Sequence, residues 1–199
     1  MPSKRSTLLL ASAVALPLAA AALAGPASAG TPRVGDFSAD LTKVNTAATG
    51  HVDLAEHGTQ LMVHLTLNGL DGGIHLAHIH GIRQAMNECP SLAADVDGNG
   101  LVDIAEGLPS YGPVQVTLSN GTNDRGTMLD WTRRFTHLDS GDGIASLGPL
   151  DRYAIVVHGV DLNGDGVATN PDVDGDGAAN PADNEITMPA VCGVIHSDG

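Results

Sequence analysis

Apolar and polar residues alternate along much of this chain with a period of two, and almost nowhere with the helical period of 3.6. The clearest case is Leu61, Val63, Leu65 and Leu67 interleaved with Met62, His64 and Thr66, which predicts a half-buried strand. His51 to Leu54 reads as its hairpin partner, with a turn at Glu56-His57-Gly58. Gly30 to Thr49 is expected to form a leading arm with a first strand. Asn68 to Gly73 is rich in turn residues and precedes a short strand from His75 to His80. Val114, Val116 and Leu118 alternate with Gln115 and Thr117 in a further strand. Arg152 to His158 is another, and Ile186 to Ile195 closes the domain. The order of residues 119 to 151, around Leu129 to Phe135, is left open between a strand and a short helix. Many short strands with 3% aromatic residues predict an all-β fold, an antiparallel sandwich or barrel with elaborate loops.

The first 29 residues stand outside that pattern. Lys4 and Arg5 precede an apolar run from Leu8 to Ala24, followed by Ala27-Ser28-Ala29, the layout of a secretory signal peptide cut after Ala29. Pro17 and the short run argue against a membrane anchor. The expected mature chain of residues 30–199 is a comfortable size for one domain. It carries seven basic and 23 acidic residues, a formal charge of −16. Such a surface disfavours nucleic acid and anionic membranes. Cys89 and Cys192 are the only cysteines, and an even pair in an exported chain favours a disulfide.

Much of the acidity is clustered with glycine. Asp95, Asp97, Asn99, the Leu101 carbonyl, Asp103 and Glu106 occupy every diagnostic position of a twelve-residue EF-hand loop, with Gly100 at the sharp turn. A second cluster repeats every eleven residues. Asp161, Asn163, Asp165 and the Val167 carbonyl would be closed by Asp172; Asp172, Asp174, Asp176 and the Ala178 carbonyl would be closed by Asp183. This tandem arrangement resembles the calcium repeats of thrombospondin type 3 modules. Calcium is the expected ion, in a structural role, and no exiting amphipathic helix is expected after the first loop.

The histidines carry the other candidate chemistry. Side chains alternate along a strand, so His78 and His80 share a face, and Ala154, Val156 and His158 share one on the later strand. If those strands are neighbours, three imidazoles converge in a transition-metal site. Three histidines suit copper or zinc by ligand type, and Cu²⁺ generally has the higher affinity. His75, His51, His57, His64, His137 and His196 read as structural or exposed, with His137 the best substitute for a fourth ligand. No Ser-His-Asp order or activated cysteine stands out, so no catalytic residue is assigned, and Trp131 reads as a core anchor.

His78-x-His80-Gly81, Cys89, Ile155-Val156-Val157-His158 and Cys192-Gly193-Val194-Ile195 resemble, in order, the copper/zinc superoxide dismutases. The resemblance implies a Greek-key antiparallel β-barrel, copper held by His78, His80 and His158, a Cys89–Cys192 disulfide, and superoxide as substrate. The departures concern activity. The family's bridging and zinc-binding histidines have no counterparts where the EF-type loop now lies, so zinc is not expected. Pro189 stands where the family places an anion-guiding arginine. Ala77-His78-Ile79-His80-Gly81 also resembles the secreted CHRD domains, which implies a second reading as a non-catalytic interaction module.

Overall fold

The computed structural model describes residues 33–81, 88–136, 147, 149–177, 180 and 182–199. The expected signal peptide, His137 and Ala178 lie outside the described residues. The described residues hold eleven strands: β1 (Arg33–Lys43), β2 (Thr49–Gly58), β3 (Gln60–Asn68), β4 (Gly72–Gly73), β5 (Ala77–His80), β6 (Val114–Thr117), β7 (Met128–Thr136), β8 (Ala154–His158), β9 (Val167–Ala168), β10 (Pro189–Val194) and β11 (His196–Ser197). They form the expected all-β, antiparallel architecture. One curled sheet runs β6-β5-β8-β10-β1-β2-β3-β7, with β11 beside β1, and the small pair β4-β9 is parallel.

The path of the chain through that order is of Greek-key type. β1, β2 and β3 are sequential neighbours, but the chain then crosses to β5 at the far side, returns to β7, and crosses again to β8. The hairpin between β2 and β3 is tight, pairing His57 with Gln60, so the strand at β2 runs four residues further than its sequence pattern marks. Residues 128–136, left open by the sequence, are a strand: β7 pairs with β3 along its length, from Gln60↔Thr136 to Asn68↔Met128. Arg133 of β7 reaches across to the chain following β6. It donates to the Leu118 carbonyl at 2.7 Å and to the Thr122 carbonyl, pairs with buried Asp124 at 2.9 Å, and stacks 4.0 Å over the Trp131 ring. One guanidinium thus ties together the two ends of the sheet order.

The alternating strands point one set of side chains inward. Leu41, Val52, Leu54, Val63, Leu65, Leu129 and Trp131 meet Ala77, Ile79, Ile155 and Val157 in the main core. Strand β8 is buried on both faces, which explains its unbroken apolar run. Its outward residues Ala154 and Val156 join Cys192, Tyr111, Val102 and Val44 in a second, smaller core. What covers that outer face is the segment holding the first acidic loop. It is fastened to β10 by the Cys89–Cys192 disulfide, with Cα atoms 5.6 Å apart, and to the chain after β1 by Asn45, whose side chain bonds both amide and carbonyl of Val102.

The absence of an exiting helix after that loop is corrected. Helix α1 spans Ile104–Tyr111, and Asp103 caps it: its carboxylate accepts from the Glu106 amide while Glu106 accepts from the Asp103 amide. Gly107 and Pro109 are poor helix formers that hide such a short helix from any reading of propensity. Gly107 is there for space, because a Cβ would lie 2.5 Å from the Tyr111 hydroxyl that folds back over it.

Candidate metal centres

Strand β5 lies between β6 and β8, with His78 opposite Val156 and His80 opposite Ala154. His158 sits one same-face position beyond Val156, so the three expected imidazoles come to one spot. Their ring centroids are 5.6 Å (His78–His80), 5.2 Å (His78–His158) and 5.4 Å (His80–His158) apart. One ligand nitrogen from each ring lies within 4.8 Å of the other two.

The hydrogen bonds fix how two of the rings face. His80 Nδ1 meets the Gly112 carbonyl at 2.8 Å, and His158 Nδ1 meets the Thr187 carbonyl at 2.6 Å. A carbonyl only accepts, so each Nδ1 carries the proton and each Nε2 presents a lone pair in the neutral ring. Those two Nε2 atoms face one another at 3.3 Å. His78 Nδ1 is buried without a hydrogen-bond partner among the described residues. Burial pushes the pKa of His78 down. It takes His80 to about 4, helped by the neighbouring His78, and His158 to about 3, helped by His80 and His78. The rings are therefore neutral near pH 7, and nothing on the protein side separates the opposed lone pairs. Two nitrogens each about 2.0 Å from one tetrahedral ion stand about 3.3 Å apart, so the donor set fits a small transition-metal ion.

The surroundings hold the site in place. His75 is fully buried, its ring nitrogens 3.1 Å from the His158 carbonyl and 2.9 Å from the Asp71 carbonyl, with the donor role set by the tautomer. It is structural, as its sequence position suggested, and it orients the backbone that carries His158. Gly159 has φ +115°, and a Cβ there would lie 2.4 Å from both His75 Nδ1 and the Ile74 carbonyl. A Cβ at Gly81 would strike Tyr153 at 2.5 Å. The glycines that follow His80 and His158 are thus required by packing. The Tyr111 ring stacks edgewise on His80 at 4.8 Å, which joins the end of α1 to the centre.

The acidic loops share one hydrogen-bond plan. In the first, the Asp95 carboxylate accepts from Gly98 at 2.7 Å, Asn99 at 3.2 Å and Gly100 at 2.8 Å. In the second, Asp161 accepts from Gly164 at 2.7 Å, Asp165 at 3.2 Å and Gly166 at 2.7 Å. In the third, Asp172 accepts from Gly175 and Gly177, each at 2.9 Å. Asp97, Asn163 and Asp174 each accept from the amide two residues on, and Asn99 and Asp165 do so from Leu101 and Val167. Asp95, Asp97 and Glu106 converge within 4.8 Å, as do Asp172, Asp174 and Asp176. Amide hydrogen bonds, first that from Gly100, hold the Asp95 pKa down, and that from Asp103 leads for Glu106.

Closure of the second loop differs from expectation. In the first loop, Glu106 accepts from Val96, Asp97 and Asp103. The matching amides of the second, Leu162, Asn163 and Thr169, together with Asn170, donate to Glu185. Glu185, fully buried, thus takes the closing place foreseen for Asp172, while Asp172 opens the third loop. Asp183 does come to the third loop. Among the described residues neither of its shielded carboxylate oxygens has a hydrogen-bond partner, and burial with the neighbouring Asp174 and Asp172 raises its pKa.

Among the described residues, no helix is long and apolar enough to cross a membrane. No protein-family model matches the chain, and no curated protein does. Among solved structures, the clock protein EA4 is similar at a TM-score of 0.44 and 17% identity, over 83% of this chain and 96% of that one.

Proposed function

We propose that this chain is a secreted metal-binding β-barrel of superoxide dismutase-like type, in which His78, His80 and His158 hold one copper-type ion and the acidic loops hold calcium. The observation that carries the reading is the contact of two lone-pair nitrogens, His80 Nε2 and His158 Nε2, at 3.3 Å in a buried site, the Nδ1 of each of these two rings being committed to a carbonyl. Opposed acceptors in a low-dielectric site are unfavourable until a cation lies between them. Copper suits three neutral imidazoles by affinity order, and when bound it supplies one-electron redox chemistry. The chain's own part is to fix both tautomers through Gly112 and Thr187, to keep the rings neutral by burial, and to hold His158 through His75.

Calcium is supported by the three loops' shared plan and by Asp183, whose shielded oxygens face carboxylates instead of donors. Export is supported by the signal-like leader and by the Cys89–Cys192 disulfide.

A second reading, a non-catalytic CHRD-like module, is favoured by the mouth of the centre: among the described residues no Lys or Arg lines it. The two readings separate by metal analysis and a superoxide assay before and after copper loading. Turnover that is lost on His80→Ala supports the enzyme; stoichiometric copper without turnover supports the module.

A further inference from the structure

Two carbonyls set the direction of the opposed rings, and each stands at the exit of an acidic loop that a glutamate closes. The Gly112 carbonyl, which accepts from His80 Nδ1 at 2.8 Å, ends the helix whose first turn holds Glu106. The Thr187 carbonyl, which accepts from His158 Nδ1 at 2.6 Å, lies just after Glu185 in the chain.

The first link runs through α1. This helix has eight residues and contains Gly107 and Pro109, so by itself it would be marginal. Its ends hold it. At the start, Glu106 accepts from the Val96, Asp97 and Asp103 amides, and Asp103 accepts from Glu106. At the finish, the Gly112 amide closes on the Leu108 carbonyl at 2.8 Å, and the Gly81 amide donates to the Pro113 carbonyl at 3.1 Å. The buried Tyr111 ring lies edgewise on His80 at 4.8 Å. A short rigid element thus joins the closing carboxylate of the first loop to one imidazole.

The second link is more direct. Glu185 gathers the Leu162, Asn163, Thr169 and Asn170 amides through its side chain. Its own carbonyl accepts from the Val160 amide at 3.0 Å, and the Met188 carbonyl accepts from Gly159 at 2.8 Å. These bonds seat the residues that follow His158 on the stretch that contains Thr187. Asn184 fixes that stretch as a turn, its side chain accepting from Ile186 at 3.1 Å and from Thr187 at 3.3 Å. His158 and the carbonyl that orients it are therefore carried by the two segments that enter and leave the later acidic loops.

Resting on the histidine centre and the calcium loops of the reading above, we propose that Glu106 and Glu185 are positioning residues of that centre. Glu106, once fixed by calcium in the first loop, sets His80 through α1 and Gly112; Glu185, fixed in the second, sets His158 through Thr187; calcium and copper therefore bind cooperatively. A filled loop has already ordered one imidazole, so copper binding loses less conformational freedom. The coupling is reciprocal: copper raises calcium affinity by the factor by which calcium raises copper affinity. Charge acts the other way. Two bound cations repel, so electrostatics alone would make calcium weaken copper binding, and the sign of the effect separates the two influences.

The test uses the mature protein, stripped of calcium on a chelating resin and titrated with Cu²⁺ against glycine as competitor, with and without saturating Ca²⁺ at constant ionic strength. Circular dichroism and thermal melting check that each sample is folded. Calcium is expected to tighten copper binding by about tenfold or more, inside the roughly 5–150-fold usual for coupled sites, and to change the copper electron paramagnetic resonance spectrum. Glu106→Gln retains the helix cap, because Gln serves at that position as Glu does, but loses the charge of the twelfth-position calcium ligand. It should cut the gain by about threefold or more, and Glu185→Gln should do the same through His158. If the calcium-free protein loses its fold, the variants are compared with the unmodified protein at a calcium concentration that just saturates the latter, and their copper affinity should be lower by the same factor. Copper affinity that calcium leaves unchanged or lowers in folded protein overturns the coupling while both ion assignments stand. A gain undiminished in either variant, or equal copper affinity in the calcium-held comparison, overturns the role of that glutamate. A protein that takes up no copper overturns the histidine centre, one that takes up no calcium overturns the loop assignment, and either result removes this inference with it.

Discussion

Glu185 does for the loop of Asp161 what Glu106 does for the loop of Asp95: each carboxylate gathers the amides at the second, third and ninth positions of its loop. The difference is reach. Glu106 belongs to the twelve residues it closes, whereas Glu185 arrives from beyond the third loop and so clamps the whole acidic insertion against β10. Glu185→Ala is expected to abolish one calcium equivalent and to leave four part-buried amides without their acceptor, each costing less than the about 1–3 kcal/mol of a fully buried orphan donor. Asp172→Asn should instead weaken the third loop and leave the second intact. Calcium stoichiometry by isothermal titration of the two variants checks this; equal losses would refute it.

Calcium itself should contribute to stability by mass action, about 2.7 kcal/mol for each site held at a hundred times its dissociation constant. Excess EDTA is therefore expected to lower the melting temperature, and added calcium to restore it. A melting temperature indifferent to chelator would remove the structural role assigned to these loops.

The centre's pH response follows from burial. In the metal-free protein the pKa of His80 lies at about 4 and that of His158 at about 3, below the ordinary value of 6.5. Between those values and 6.5 the unfolded chain binds protons that the folded chain does not. Stability is then fully present above about pH 6.5 and falls as the pH drops toward 4, by up to about 1.4 kcal/mol per pH unit for each such histidine. Urea denaturation of the metal-free protein from pH 7 to 4 measures the slope. His80→Ala should flatten it; an unchanged slope would contradict the assignment.

Gly159 gives a packing test of the centre's support. Ala at this position forces a methyl group to within 2.4 Å of the Ile74 carbonyl and His75 Nδ1, at φ +115°. The expected cost is about 2–3 kcal/mol, or roughly 4–12 °C in melting temperature for a domain of this size. Copper affinity should fall as well, because His75 then releases the backbone that carries His158. Wild-type stability and copper affinity in Gly159→Ala would show that this contact is not a support.

What the sequence made legible was local or periodic. Alternation along Leu61–Leu67 marked β3, and two-residue spacing put His78 and His80 on one face. The apolar run Ile155-Val156-Val157 marked a strand, and its burial on both faces is added by the structure. The acidic loops were legible because one short segment supplies nearly all the carboxylates that gather its amides. What escaped was non-local or masked by weak propensity. Glu185 lies outside the loop it closes, so no spacing rule reaches it. Helix α1 contains Gly107 and Pro109 and exists because Asp103 and Glu106 cap it and Tyr111 packs below Val156. Strand β7 has little alternation beyond Leu129 and Trp131, since Arg133 is held by Asp124 and the Leu118 carbonyl.

The histidine centre is tested most directly by titrating the metal-free protein with Cu²⁺ while following the nitrogen hyperfine pattern in its electron paramagnetic resonance spectrum. The account predicts one tightly bound copper per chain with about three equivalent nitrogens, and loss of that signal in both His80→Ala and His158→Ala. Tight copper binding that persists in both variants, or none in the unmodified protein, would contradict it.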